Sequence, residues 1–280
     1  MNGVPAWLRR ARRQPTLVAG LAVLSVFVLA AVFAPLLVSA APGALNVSNR
    51  LQPPSAANWL GTDEFGRDVF ARLVYGGRLS LGIGVMTALL SSLIGVALGL
   101  LAGFSPVLDR TLSRVNDAMM SFPDILLAIA LVAALNPSMT NVVLALGVVY
   151  TPRMARMVRA STLVIRELPY VEAARALGVR SWRILLVHVL RNLVSPIIVQ
   201  GTFVFAYAML AEASLSFLGV GASPATPSWG TMISAARPYY RQADWLAVAP
   251  GVAIMLAVLS LQMVGDALRD ILDPRLRRVQ

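Results

Sequence analysis

One histidine, His188, thirteen carboxylates and no cysteine make up the catalytic and metal-ligating stock of these 280 residues. A lone histidine without a nucleophile elbow or an HExxH pair offers no catalytic constellation. Without cysteine, neither a disulfide framework nor a Cys/His metal cluster can be assembled. All 24 basic residues are arginine. A Walker A phosphate loop needs a lysine, so if ATP drives this protein, another chain binds it and its Mg. What remains is of three kinds. Asp63, Glu64 and Asp68 lie near Arg67 and Arg72, either as a metal or substrate cluster or as intraloop ion pairs with helix capping by Thr62 or Asp63. Asp124 and Glu212 are acids within apolar surroundings. The third is the arginine-rich segment 170–192, YVEAARALGVRSWRILLVHVLRN.

That segment has a helical period. Tyr170, Ala173, Ala174 and Leu177 recur on one face, with Glu172 and Arg175 opposite, which predicts a short amphipathic helix. Gly178 can stop it by taking a left-handed conformation, and Ser181 stands where an N-cap would open a second helix through Trp182, Ile184, Leu185 and Val189. Small residues at 173, 174 and 178 would let another surface approach the backbone, and Glu172 with its arginine neighbours would register that partner. A solvated connector accounts for the pattern equally well, because alanine is a good helix former.

The elements around this segment are apolar. Hydrophobic residues make up 58% of the chain and charged residues 13%, against about 45–50% and about 25% in soluble domains. A bilayer core takes roughly 20 apolar residues. Six stretches qualify: 16–38, 79–104, 118–135, 141–158, 192–211 and 245–264. Pro123 and Asp124 interrupt the third, and Thr151, Pro152 and Arg153 the fourth, so those two should face protein or a pore rather than lipid. The first run, 23 residues, exceeds the roughly 7–15 of a signal-peptide core, so it reads as a retained transmembrane helix.

With the amino terminus inside, the cytoplasmic segments hold Arg9, Arg10, Arg12, Arg13, Arg110, Arg114, the eight arginines from Arg153 to Arg191, Arg269, Arg275, Arg277 and Arg278. The opposite side keeps Arg50, Arg67, Arg72, Arg78, Arg237 and Arg241. The positive-inside rule therefore puts both termini in the cytoplasm. The expected organisation is a cytoplasmic terminus over 1–15, a first span over 16–38, and an outer loop with an interfacial helix over 39–78. A five-helix core over 79–266 follows, containing the cytoplasmic loop 166–191 and an outer loop 214–243. A cytoplasmic tail over 267–280 completes the chain. The net charge of +11 is explained by membrane topology and anionic lipid, not nucleic acid.

In the second outer loop, Gly, Pro and Ser are dense enough to predict a re-entrant or compact non-helical turn. Trp229, Tyr239, Tyr240 and Trp245 read as an interfacial belt, with a substrate-contacting set as the alternative. Glu212, near membrane depth, is a functional candidate; with Ser214 and Phe217 it marks a pore or outer gate. Hydrogen bonding to the adjacent turn explains Glu212 equally well.

The order Glu172-Ala173-Ala174, three residues, Gly178, nine residues, His188, one residue, Leu190 resembles the EAA loop of permease subunits in bacterial ABC importers, which docks into a groove on the ATPase. WLGTDEFGRDVFARLVYGGRLSL, DRTLSRVNDAMMSFPDILLAIAL, LAEASLSFLGVG and GDALRDILDPRLR extend the likeness to the C-type permease of the dipeptide, oligopeptide and nickel importer family. The pattern departs at Arg191, where proline is usual, and at Asn58, where histidine is common. The first forty residues and the loop to Pro54 carry no such motif.

This resemblance implies an all-α, six-span, type I importer permease of a bacterial or archaeal cytoplasmic membrane. Its partners would be a homologous B-type permease completing a heterodimer, one or two ATPases and an extracytoplasmic binding protein. Tyr170, Glu172, Ala173, Ala174, Arg175, Gly178, Trp182 and His188 would form the ATPase-coupling loop, and short peptides or related solutes would be the cargo. The competing class is a secondary transporter or channel using Asp124 and Glu212.

Overall fold

The structure is a computed structural model describing residues 14–38, 41–221 and 226–272. Among them there is no β-strand, only an isolated bridge between Thr62 and Asp68. The chain opens with α1, Pro15–Val32, with a proline in its first turn, where the missing N–H costs nothing. The predicted run to 38 is broken at Phe33. Ala34–Leu37 forms a separate turn started by Pro35, since a proline cannot continue the hydrogen-bond ladder.

Helix α2, Val69–Phe104, is capped by Asp68, whose side chain accepts from the Phe70 and Ala71 N–H groups. Asp68 therefore does the capping expected of Thr62 or Asp63. Residues 69–78, expected to form a separate interfacial helix, are the first turns of this single 36-residue element. At about 1.5 Å per residue it spans about 54 Å, well beyond a hydrocarbon core of about 30 Å.

The stretch 118–135 is not one helix. Amphipathic α3, Pro106–Met120, ends before Pro123, and α4, Asp124–Leu135, leaves at 95°. Twelve residues of α4 reach only about 18 Å. Helix α5, Met139–Ile165, carries Pro152 internally and is capped by Ser138 accepting from the Asn141 N–H. Then come α6, Pro169–Ala176, a turn, a helical turn at Ser181–Arg183, a six-residue π-helix at Ile184–Val189, and α7, Leu190–Phe217. In the orientation expected from the arginines, α8, Trp229–Ala236, lies on the outer side and α9, Trp245–Leu272, returns inward. The tail expected from 267 thus begins as helix, with Ala267 buried against Leu17 of α1.

Among the described residues four helices are long and apolar enough to cross a membrane: α1, α2, the continuous Ser181–Phe217 and α9. The bent α3–α4 pair passes the same test only when its two helices are taken together as one broken span. Helix α5 has the length at 27 residues, but Arg153, Arg156 and Arg159 make it too polar to stand out by hydropathy.

The centre of the fold is the α2–α5 contact, and glycine makes it possible. Gly95, Gly99 and Gly103 recur every four residues on α2. A Cβ on any of them would come within 2.6 Å of Met154, Ala155 or Thr162 on α5. Small residues at this spacing let helix backbones meet in lipid, where no hydrophobic force drives association.

Candidate coupling surface

Helix α6 starts from Pro169 and ends at Gly178, whose φ of +76° is the left-handed stop its sequence suggested. The Val179 N–H donates to the Ala174 carbonyl and the Gly178 N–H to the Arg175 carbonyl, a Schellman closure. A Cβ at Gly178 would meet nothing within 4 Å, so backbone conformation, not space within this chain, requires glycine. The second helix does not start as expected. Arg180 occupies the N-cap without a side-chain cap bond and Ser181 is already inside. The turn then passes into the π segment containing His188, a distortion that recurs at functional sites.

The buried face also differs from the expected one. Val171 and Ala174 point inward, joining Ile184, Val189 and Leu193 in a core with Leu100, Met154 and Val158. Tyr170, Glu172, Ala173, Arg175 and Leu177 are exposed. Of the EAA triplet, then, Glu172 and Ala173 face out while Ala174 holds the helix to its own subunit. Leu177 is 83% exposed and Trp182 59%.

The segment is tied down behind this face. Asn192 donates from Nδ2 to the His188 carbonyl at 2.6 Å and to the Tyr170 hydroxyl at 3.1 Å, and the Tyr170 and His188 rings lie 6.2 Å apart. Arg166 donates to the Gly103 carbonyl at the end of α2 and pairs with Glu167. The loop is therefore one body with the inner ends of α2, α5 and α7.

Sequence reasoning missed a row of ion pairs beside it. Asp109 and Asp117 on α3 and Asp124 at the start of α4 pair with Arg159, Arg156 and Arg153 on α5. The arginines stand at i, i+3 spacing, which was a readable signal; their partners were not, because an elbow separates them. Asp124 is thus a structural ion-pair partner.

On the outer side, Glu212 is 1% exposed. Its carboxylate accepts from Ser216 Oγ and Ser228 Oγ at 2.8 Å and from Ser80 Oγ at 3.4 Å. Ser228 is also the N-cap of α8 and forms a capping box with Thr231, so the region expected to be non-helical nucleates a helix. Trp229, expected in an interfacial belt, is 1% exposed instead. Its indole N–H donates to the Leu73 carbonyl, its backbone N–H to Ser80 Oγ, and its ring meets Phe27 edge-on. Trp245 likewise turns inward, donating to the Thr62 carbonyl, whereas Tyr240 is exposed. Ser214 is exposed and Phe217 lies under the Arg237 guanidinium.

The acidic loop resolves into ion pairs: Asp63 with Arg67 and Arg72, and Glu64 with Arg67. Among the described residues no group of three or more His, Asp or Glu could hold a metal. A groove of about 780 Å³ opens between the inner halves of α5, α7 and α9, with Ser161, Ser195, Gln200, Phe203 and Arg269 among its lining.

Residues 95–278 match the family described as binding-protein-dependent transport system inner membrane component, and residues 6–54 match the N-terminal TM domain of oligopeptide transport permease C. The chain is 44% identical over 270 residues to the dipeptide transport system permease protein DppC of Alkalihalophilus pseudofirmus, covering 96% of this chain and 89% of that protein. It is 41% identical over 272 residues to the glutathione transport system permease protein GsiD of Pectobacterium atrosepticum, covering 97% and 90%. Its fold is similar to that in an inward-facing conformation of the MetNI methionine ABC transporter, with a TM-score of 0.61, 20% identity, and coverage of 72% of this chain and 97% of that one.

Proposed function

The chain belongs to the binding-protein-dependent transport system inner membrane component family, and from that premise we propose that it carries short peptides, coupled to ATP hydrolysis through residues 170–192. It is a multi-pass permease subunit of an ATP-driven importer in the bacterial inner membrane, with no catalytic activity of its own. The proposal adds the cargo, the partners and the residues.

For the cargo, relatives named for dipeptide and glutathione transport support a small solute bearing peptide bonds. For the partners, a B-type permease would complete the path, one or two cytoplasmic ATPase subunits would bind ATP and Mg, and an extracytoplasmic protein would deliver the solute. Six spans with both termini inside suit the arginine distribution, with α5 as the most polar span. The inner groove beside Gln200 and Arg269 is this subunit's share of the path. The outer gate lies at the α7–α8 corner, where Ser214 is exposed, Phe217 is half-buried under Arg237, and Glu212 anchors the corner from behind.

The observation that carries the coupling role is the outward face of α6. Tyr170, Glu172, Ala173, Arg175, Gly178 and Trp182 are exposed on a segment whose other face, through Ala174 and beside His188, is bonded to the subunit. A surface fixed on one side and free on the other transmits movement as a lever. In proteoliposomes holding the whole transporter, Glu172→Ala and Gly178→Leu should leave assembly intact while ATP hydrolysis no longer drives uptake. Normal uptake by both variants would sink the assignment.

A further inference from the structure

The exposed face of the coupling segment has a charge pattern that its own subunit does not answer. Arg175, Arg180, Arg183 and Arg191 are all exposed. Among the described residues none of the four has an ion-pair partner or stacks on an aromatic ring. The arginines of neighbouring α5 behave differently. Arg153, Arg156 and Arg159 each hold an aspartate, and Arg166 holds Glu167. From 167 to 191 the one acid without an ion pair is Glu172.

Apolar groups sit among these cations. Leu177 lies between Arg175 and Arg180, and Trp182 between Arg180 and Arg183, both largely exposed. An apolar centre with a charged rim is the usual anatomy of a protein–protein contact, and here the rim has one sign.

We infer that the ATPase cleft receiving this segment is apolar at its floor and acidic at its rim, and that carboxylates facing Arg175, Arg180 and Arg183 select which ATPase this permease accepts. The inference rests on the coupling role proposed above and adds the chemistry of the partner. Arginine suits the rim because its planar fork takes a carboxylate in two-point contact. Opposed rim charges steer the encounter and repel a cleft of the wrong sign.

The test uses the purified transporter in detergent, with ATPase subunits that copurify with the wild-type chain and are identified by mass spectrometry. Their binding is titrated from about 0.05 to 0.5 M salt, over which exposed charges become screened. Wild-type affinity should fall with salt. Arg180→Glu with Arg183→Glu should weaken binding about tenfold at low salt and flatten the salt dependence, with an unchanged melting temperature because both side chains are exposed. Arg180→Lys with Arg183→Lys should retain most of the affinity. Changing the facing acids of the ATPase to arginine should restore binding to the glutamate double variant. The inference is overturned if the glutamate variant binds like wild type, or if the lysine variant loses as much as the glutamate one. Should that happen while Gly178→Leu still uncouples transport, the coupling role stands and only the acidic rim falls. A wild-type transporter that holds no ATPase at any salt would overturn both.

Discussion

In the orientation proposed above, the inner and outer ends of this subunit treat their polar groups in opposite ways. At the outer end, Glu212 is enclosed and its carboxylate satisfied by three serine hydroxyls from three places in the sequence, while Trp229 fills the space beside it. At the inner end, Glu172 and four arginines stand exposed and unpaired around Leu177 and Trp182. A buried polar network must be complete, since each missing partner costs the desolvation of the one left behind. An exposed set can be left for another molecule to complete. The outer network holds one chain together, and the inner surface is the one proposed to meet another.

If that contrast holds, the largest effect of any single change belongs to the outer end. Trp229→Ala should destabilise the subunit by about 3–5 kcal/mol, the range for truncating a buried aromatic, seen as a lower melting temperature in detergent. Glu212→Ala should cost about 2–3 kcal/mol by stranding Ser228 and Ser216. Glu212→Gln, which keeps an acceptor, should cost less than half as much. Uptake lost by Glu212→Ala at full stability would instead make Glu212 a transport residue and erase the distinction.

Gly178→Leu should cost about 1–2 kcal/mol for a left-handed non-glycine backbone, a modest change in melting accompanied by nearly complete loss of coupled uptake. That ratio of functional to structural damage is the signature expected of the inner end and should be reversed at Trp229. Smallest of all, Asp117→Asn should lower stability by under about 1 kcal/mol, because its pair with Arg156 is largely exposed. A double-mutant cycle with Arg156→Gln measures it. A coupling energy several times larger would mean that the α3–α5 ion pairs act as one network. Arg191→Pro should be tolerated, with uptake close to wild type, since Arg191 follows a segment already distorted into a π-helix.

Much of the inner site was legible because it is local. A helix, a glycine stop and a return into the membrane within 23 residues leave their marks at fixed spacings, and Gly178 has the left-handed backbone its position suggested. The face of the helix was misassigned. Tyr170 and Leu177 share the alanine period, yet Val171 and Ala174 are buried, because which stripe faces inward is decided by the apolar ends of α2, α5 and α7. The 118–135 run looked like a span because composition does not register a 95° elbow. Residues 6–54, where no motif was found, match a family domain of their own; an apolar helix is recognised by its overall pattern more readily than by any residue in it.

Composition by itself determined a membrane-embedded chain, because hydrophobicity needs no folding to count. Short-range geometry was likewise determined by the sequence, as at Gly178. The tertiary structure decided which polar groups are spoken for. Ser80, Glu212 and Ser228 meet across 149 positions of chain between Ser80 and Trp229, and Asp109 finds Arg159 across 50. Hydrogen bonds and ion pairs act over a few ångströms, whereas sequence distance says nothing about proximity once helices pack side by side. Only the packed helices could separate charges already answered within the subunit from those left for a partner.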